Sequence, residues 1–303
     1  MRSVRYAAVM TEIRTAALIV NAMSRTGEAM FEEAAEAVKG LPYPVDAHAV
    51  HDPQELDAMM ASILASKPDL VILGGGDGTI SGLVDHLVGK GVMLGVLPLG
   101  TANSFARTLG IPLDVEGAVE VLRTGEPKRI DLGMIDNDYF ANCAAIGLSP
   151  QIAETVPHKL KRYFGRAGYL AWAAVQYMRF EPFTLIVTVG GKERRVRTVE
   201  VRISNGSFHG GTELVEEASL DSGEIVIQAV TGRVKRRLLT NWGANILRLE
   251  SRKKGTVSFR GKSLEVRTDP PLPISIDGEV LAKTPVTAKV AAGVIYVMAP
   301  KGR

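Results

Sequence analysis

The sequence predicts an α/β protein in two parts: a parallel-sheet α/β domain over residues 1–130, then a β-sandwich domain over residues 131–290. Three observations predict it. Apolar runs and helical stripes alternate through the first 130 residues, the pattern of a parallel sheet with helices on its faces. After Arg129 the texture changes to short strand-like runs separated by turns, the pattern of antiparallel β structure. A chain of 303 residues, 46% of them hydrophobic, has the material for two such cores. Residues from about 291 to 303 are expected to pack back on the first domain.

The elements follow in order. Ala16-Ala17-Leu18-Ile19-Val20 reads as a buried strand. Residues 28–39, rich in Glu and Ala, read as a helix ended by Gly40. Leu56, Met59, Met60, Ile63 and Leu64 repeat at helical spacing. Asp69-Leu70-Val71-Ile72-Leu73 is a short apolar strand that runs into a glycine cluster. Ile80, Leu83, Val84, Leu87 and Val88 mark a further helical stripe. Val92 to Leu97 is another strand, closed by Pro98. Residues 115–124 read as a helix with Gly125 as its stop. In the second part, Ile130 to Ile135 and Tyr139 to Ala144 flank Asp136-Asn137-Asp138, which predicts a hairpin. Phe183 to Val189 and Val196 to Ile203 flank Gly190-Gly191, which predicts another. Ile225 to Val230, Thr256 to Phe259, Leu264 to Arg267, Ile274 to Ile276 and Val294 to Met298 are further strands. Helical stretches are expected at about 158–179 and 234–250.

Composition removes several classes of function. No apolar run approaches the roughly 20 residues of a membrane span. Residues 1–14 carry Glu12 and lack the apolar core of a secretory signal. The single cysteine, Cys143, has no internal partner and fits a reducing cytoplasm. The five histidines stand at 48, 51, 86, 158 and 209, without zinc-ligand spacing. No nucleic-acid-binding signature is present, so nucleic acid is not an expected partner. Charge is uneven: residues 1–130 hold 11 Lys/Arg against 16 Asp/Glu, and the rest hold 25 against 17. A basic second part suits either an anionic partner, such as a phospholipid surface, or a solvated β surface.

The chemistry concentrates in Leu73-Gly74-Gly75-Gly76-Asp77-Gly78-Thr79. Glycines at a strand-to-helix turn permit positive φ and let the backbone approach a ligand closely. The free N–H groups of the turn and helix start favour an anion, with phosphate the obvious candidate. An acidic Asp77 beside phosphate makes sense as a holder of Mg²⁺ or its water. Thr79 adds a hydroxyl. The spacing is not the dinucleotide fingerprint. Gly261-Lys262-Ser263 is not a Walker loop, because the glycine required five positions earlier is Thr256. A second turn, Gly100-Thr101-Ala102-Asn103, also follows a strand. Two such turns at strand carboxyl ends would line one crevice.

At these residues the chain resembles the catalytic domain shared by soluble bacterial diacylglycerol kinases and the sphingosine and ceramide kinases, and more distantly the NAD kinases. The resemblance covers nearly the whole chain. It runs through Asn21-Ala22-Met23-Ser24-Arg25-Thr26-Gly27, Gly75 to Thr79, Gly95 to Asn103, Ile130-Asp131-Leu132-Gly133, Tyr139-Phe140-Ala141-Asn142 and Ile276-Asp277-Gly278-Glu279. It implies an ATP-dependent, Mg²⁺-assisted kinase with a lipid alcohol as acceptor. The first domain would then bind the nucleotide and the second the lipid. By resemblance, Asn21, Gly75, Gly76, Asp77, Gly78, Thr79, Gly100 and Thr101 bind ATP. Asp77 and Glu279 are the catalytic candidates, with Glu279 as general base for the acceptor hydroxyl.

Two positions depart from the family pattern. Ser104 stands where the second loop usually carries an Asp linked to the Mg²⁺ water network. In Ser219-Leu220-Asp221-Ser222-Gly223-Glu224, Ser222 stands where a structural Mg²⁺ ligand is usual, so a site at Ser219, Ser222 and Glu224 needs Asp221 or Glu224 to compensate, or it is missing. Residues 158–180 mix basic and aromatic side chains, which suits either transient contact with a membrane surface or a helix packed between domains. The expected location is cytoplasmic and peripheral at the membrane. A homodimer is compatible with the sequence, which leaves the oligomeric state open. A soluble acceptor on the same scaffold, or a nucleotide-binding regulator without catalysis, are the competing readings.

Overall fold

The computed structural model of the chain describes residues 12–22, 25–148, 172, 180–231, 255–276 and 279–302. The helices expected at about 158–179 and 234–250 lie outside the described residues, apart from Trp172, which packs against the second core.

The first part runs β1 (Ala16–Asn21), α1 (Arg25–Val38), β2 (Val45–Val50), α2 (Leu56–Ala65), β3 (Leu70–Gly75), α3 (Asp77–Val84), β4 (Met93–Pro98), α4 (Ser104–Leu109) and α5 (Val115–Thr124). Its strands lie in the order β2-β1-β3-β4 and all pair in parallel. Leu18, Ile19 and Leu70 to Leu73 are fully buried. That is why these strands read as unbroken apolar runs: helices cover both faces. The step from β1 to β2 goes one way, and the steps to β3 and β4 go the other. Right-handed crossovers then place helices on opposite faces. The helix contacts agree, with α1 against α5 and α2 against α3. Strand β2 went unread in the sequence. Its Val45-Asp46-Ala47-His48-Ala49-Val50 is an edge strand with only Val50 buried, so it lacks an apolar run.

The second part runs β5 (Glu126–Ile135), β6 (Asp138–Phe140), β7 (Cys143–Gly147), β8 (Phe183–Val189), β9 (Lys192–Ser204), β10 (Phe208–His209), β11 (Thr212–Glu213), β12 (Ile225–Thr231), β13 (Thr256–Gly261), β14 (Ser263–Asp269), β15 (Pro273–Ile276), β16 (Glu279–Lys283) and β17 (Val286–Ala299). Strand β9 is the spine. Its first half pairs with β8, and its second half pairs with β7 and β12. One layer is therefore β16-β15-β7-β9-β12-β13 and the other is β9-β8-β14-β17-β5-β6. The apolar faces of the two layers meet in a core that includes Ile146, Leu185, Val201, Ile203, Ile227, Val266 and Ile274. This is a β-sandwich packed on a parallel-sheet α/β domain.

Both predicted hairpins form, one of them shorter than expected. Gly190 and Gly191 both have positive φ, as a two-residue turn between right-twisted strands requires. In the other, Asp136 turns with φ 54, and β6 stops at Phe140 rather than Ala144. The chain bends at Ala141 and Asn142 because Asn142 turns its side chain to Thr108 and Phe208. Cys143 then opens β7 in the other layer.

No linker divides the two parts. Strand β5 crosses residue 130 without a break. Strand β17 pairs with β14 through its first half and in parallel with β4 at Tyr296 and Val297. Its register against β5 shifts between Ala291 and Ile295. Asp131 holds that shift: its carboxylate accepts the Gly293 N–H and the Gly223 N–H, each at 2.7 Å. One buried carboxylate thus ties β17 to the 219–224 loop.

Candidate functional site

In the order β2-β1-β3-β4, the direction in which successive parallel strands are added reverses between β1 and β3. Ligands of such sheets sit beyond the carboxyl ends of the strands at that switch point. Asn21 ends β1, Gly75 ends β3, and Pro98 ends β4. The two glycine-bearing turns lie directly beyond.

The turns touch backbone to backbone. The Leu99 N–H donates to the Gly75 carbonyl at 3.1 Å. A Cβ on Gly100 would lie 2.4 Å from Cα of Gly76, and one on Gly75 would lie 2.6 Å from Thr79 Oγ1. Gly74, Gly75, Gly76, Gly78 and Gly100 are absent from the positive-φ residues. Close approach, not a left-handed backbone, is what these glycines supply, which corrects one half of the sequence argument. Gly78 differs from the others: a Cβ there would meet nothing within 4 Å. It keeps clear space that the described residues do not fill.

Helix α3 starts at Asp77, and its N-cap Gly76 offers no side chain to its first N–H groups. An uncapped helix start at a strand end is where a phosphate binds most readily. Asp77 joins the two turns: its Oδ1 accepts the Phe105 N–H at 3.0 Å, capping α4. That role is needed because Asn103, the N-cap of α4, stands at φ 48 and caps nothing with its side chain. Asn103 instead staples its own turn. Its Oδ1 accepts the Gly100 N–H at 2.9 Å, and its Nδ2 donates to the carbonyls of Pro98 and Gly100. Oδ2 of Asp77 accepts no hydrogen bond from the described residues, which leaves an oxygen suited to a hard cation.

Thr101 is exposed at the mouth of the second turn. In the first loop, Gly27 of α1 comes close to the end of β1: a Cβ there would lie 2.9 Å from Cα of Ala22. Met23 and Ser24 lie outside the described residues. So do Asp277 and Gly278, and of Glu279 only the backbone is described. It stands opposite Ile276, which pairs with Ala144 at the start of β7. The residue just before β7, Asn142, bonds to Thr108 of α4 at 3.2 Å. The β15–β16 hairpin and α4 therefore approach the same end of β7.

The two departures acquire roles. Ser104 is 2% exposed, and its Oγ accepts the Gly211 N–H at 3.0 Å. It docks the β10–β11 turn of the second part onto α4. In the 219–224 loop, Ser222 Oγ donates to the Ser219 carbonyl or the Glu224 carbonyl. Ser219 Oγ bonds to the Asp221 carboxylate, and Lys128 Nζ lies 3.0 Å from that same carboxylate. Both partners hold the Asp221 carboxyl below its usual range, Ser219 first and Lys128 second. An ammonium group stands beside this loop. Among the described residues, no three His, Cys, Asp or Glu side chains gather as a metal-holding group. Of the three residues expected at a cation site there, the hydroxyls of Ser219 and Ser222 donate hydrogen bonds within the loop, and Glu224 takes part through its backbone carbonyl.

Sequence reasoning gave no role to Thr108 or His209, and named Asn142 only as part of the family hairpin. Their signal was weak, since each gains meaning only when β10 docks on α4.

Comparison with known proteins agrees with this geometry. Residues 15–135 match the diacylglycerol kinase catalytic domain, and residues 143–299 match the YegS C-terminal NAD kinase beta sandwich-like domain. The chain belongs to the family marked by that YegS C-terminal domain, which follows a diacylglycerol kinase catalytic domain. A family member from Chromohalobacter salexigens, named "Probable lipid kinase YegS-like", is 29% identical over 77% of this chain and 76% of its own length. "Uncharacterized protein sll0036" of Synechocystis is 28% identical over 76% of this chain. The chain spans about half of that relative, 54% of its length. A solved diacylglycerol kinase structure from Bacillus anthracis str. Sterne superposes with a TM-score of 0.73 at 21% identity, covering 96% of this chain and 98% of that one. At that identity the likeness concerns the fold. Among the described residues, no helix is long and apolar enough to cross a membrane.

Proposed function

We propose that the chain is an ATP-dependent lipid kinase that transfers the γ-phosphoryl group to a hydroxyl of diacylglycerol or a related lipid alcohol. One observation carries the reading: the two turns at the switch point are held together by Asp77, whose Oδ1 caps α4 at 3.0 Å while Oδ2 accepts no hydrogen bond from the described residues. Asn21, Gly75, Gly76, Gly78, Thr79, Gly100 and Thr101 surround that point and would bind the nucleotide. The uncapped start of α3 suits its phosphates. Asp77 Oδ2 is the oxygen that would hold Mg²⁺, which when bound neutralises charge on the phosphate oxygens.

The protein's own part is to position and to take a proton. As the acceptor oxygen bonds to the γ-phosphorus, the bond from phosphorus to the β–γ bridging oxygen breaks, and ADP leaves with that electron pair. The acceptor hydroxyl proton passes to a carboxylate, a role we assign to Glu279 on the family resemblance. Holding donor and acceptor in line supplies much of the rate. A kinase with a lipid acceptor meets it at a membrane surface, and we place this chain there, on the cytoplasmic side.

The test is transfer of label from γ-labelled ATP with Mg²⁺ to mixed micelles of diacylglycerol, monoacylglycerol, ceramide or sphingosine, with NAD as a soluble acceptor in parallel. Labelled lipid supports the reading. Label in NAD alone, or ATP binding with no labelled product, sinks it.

A further inference from the structure

Serine replaces an acidic side chain of the family pattern twice, at 104 and at 222. At 222 the pattern implies a structural Mg²⁺ held by the 219–224 loop. The hydrogen bonds of that loop show what holds it here.

Three oxygens converge within it. Ser222 Oγ lies 3.0 Å from the Ser219 carbonyl oxygen and 3.2 Å from the Glu224 carbonyl oxygen. A carboxylate at 222 could only accept hydrogen bonds, so it and the two carbonyls would be acceptors with no donor among them. Such a cluster needs a cation. A hydroxyl brings its own proton. Ser222 donates that proton to one of the two carbonyls, and its Oγ accepts the Glu224 N–H at 3.3 Å. The side chain does by hydrogen bonding what the ion would do by charge.

The carboxylates around the loop are engaged by the protein itself. Asp221 uses both oxygens: Oδ1 accepts the Ser219 hydroxyl, and Oδ2 lies 3.0 Å from Lys128 Nζ. Its countercharge is therefore an ammonium group from β5. Asp131 also uses both oxygens, one on the Gly223 N–H and one on the Gly293 N–H. The Asp131 N–H donates to the Leu220 carbonyl at 2.6 Å, so this residue grips the loop at two points. Glu224 alone keeps a carboxylate that accepts nothing from the described residues. Mg²⁺ gives up its water reluctantly. Beyond that one carboxylate it would meet neutral oxygens already hydrogen-bonded to one another. Residue 104 follows the same logic. It is 2% exposed, and a carboxylate there would need a countercharge. Ser104 accepts the Gly211 N–H at 3.0 Å as a neutral group.

We propose that the 219–224 loop, and through Asp131 its junction with β5 and β17, is held by the Ser222 hydroxyl and the Lys128–Asp221 pair in place of the structural cation that the family pattern implies. The divalent requirement of the protein then belongs to the nucleotide alone. This goes beyond the lipid-kinase reading, and its test uses no substrate. Thermal unfolding of the full chain is measured without nucleotide, in EDTA and in millimolar Mg²⁺ at matched ionic strength, for the wild type, Glu224→Gln and Ser222→Asp. Glu224→Gln removes the carboxylate that could compensate, so the Mg²⁺ responses of this variant and the wild type should agree to within about 1 °C. Ser222→Asp should melt below the wild type in EDTA and rise by about 5–10 °C in Mg²⁺, the shift for an ion at about 100-fold its dissociation constant. A wild-type rise of several degrees that Glu224→Gln abolishes overturns the proposal, because Glu224 then holds a cation in the native loop. A folded Ser222→Asp that responds to Mg²⁺ no more than the wild type overturns it too, because the hydroxyl is then not what makes the ion dispensable. If Ser222→Asp folds in neither buffer, the comparison of the wild type with Glu224→Gln decides by itself.

Discussion

Gly100→Ala should push the two turns apart. A Cβ at residue 100 would lie 2.4 Å from Cα of Gly76 and 2.8 Å from Asn103 Oδ1. Carbon atoms pack at about 3.5–4.0 Å, so the two backbones must separate by roughly 1 Å. Neither obstacle is the loose end of a side chain. Cα of Gly76 is backbone, and Asn103 is fixed by three hydrogen bonds. Overpacking of this kind costs about 1–3 kcal/mol, and a melting temperature moves by about 2–4 °C per kcal/mol in domains of about 150–250 residues. A displacement of about 1 Å at a reacting centre costs on the order of 100-fold in rate. Gly78→Ala is the informative contrast. Its Cβ meets nothing within 4 Å, and it lies in the first turn of α3. Replacing a helical glycine by alanine should stabilise the protein by about 0.5–1 kcal/mol. It should nevertheless weaken ATP binding, because the space it fills is the ligand's. Scanning calorimetry and isothermal titration with MgATP separate the two effects. The reasoning is refuted if Gly100→Ala melts and binds ATP as the wild type does, or if Gly78→Ala leaves ATP affinity unchanged.

Three further outcomes are expected. Asp131→Ala strands the N–H groups of Gly223 and Gly293, so urea unfolding should show a loss of about 2–4 kcal/mol; a loss below about 1 kcal/mol would contradict its role as the tie between β17 and the 219–224 loop. Asp85 has its pKa raised, first by burial and then by Asp138, against opposing effects of His86 and a Tyr139 backbone hydrogen bond. A raised carboxyl pKa means that ionisation costs stability as pH rises through the window above 3.8, so Asp85→Asn should raise the melting temperature at pH 7 and lose that advantage at pH 3. Asp221 has the opposite sign: its lowered pKa contributes stability above pH 3.8 that is lost as pH falls through the folded value. Lys128→Met should move the Asp221 carboxyl back up, by NMR titration, and an unmoved pKa would show that Ser219 alone sets it.

Much of the first part was legible because its chemistry is local. Leu70 to Leu73 is apolar throughout because both faces of β3 are covered, and the glycines that follow mark the strand end whatever the rest of the chain does. The second loop was legible for the same reason. Strand β2 was not, because an edge strand needs no apolar run. Helix α4 was hidden because its cap, Asp77, is supplied by another element, and six residues show little periodicity. The sandwich strands were visible but their layering was not: β9 serves both layers, and nothing in Lys192 to Ser204 announces where it crosses. The polar face of β9 was unreadable for a similar reason. Glu200 and Arg202 look like ordinary exposed strand positions until the register sets Gln228 beside them. Ser104 and Ser222 looked like losses against the family pattern, and the structure gives each a hydrogen-bonding task.

The account rests most on Asp77, which joins the two turns and presents at the switch point one oxygen unused by the described residues. The direct measurement is the rate of label transfer from γ-labelled MgATP to lipid micelles, wild type against Asp77→Ala, with both proteins shown to be folded. The expected result is labelled lipid from the wild type and a loss of about 100-fold or more in the variant, the scale of removing a group that organises transition-state charge. Wild-type transfer that survives in a folded Asp77→Ala within a few-fold would contradict the account.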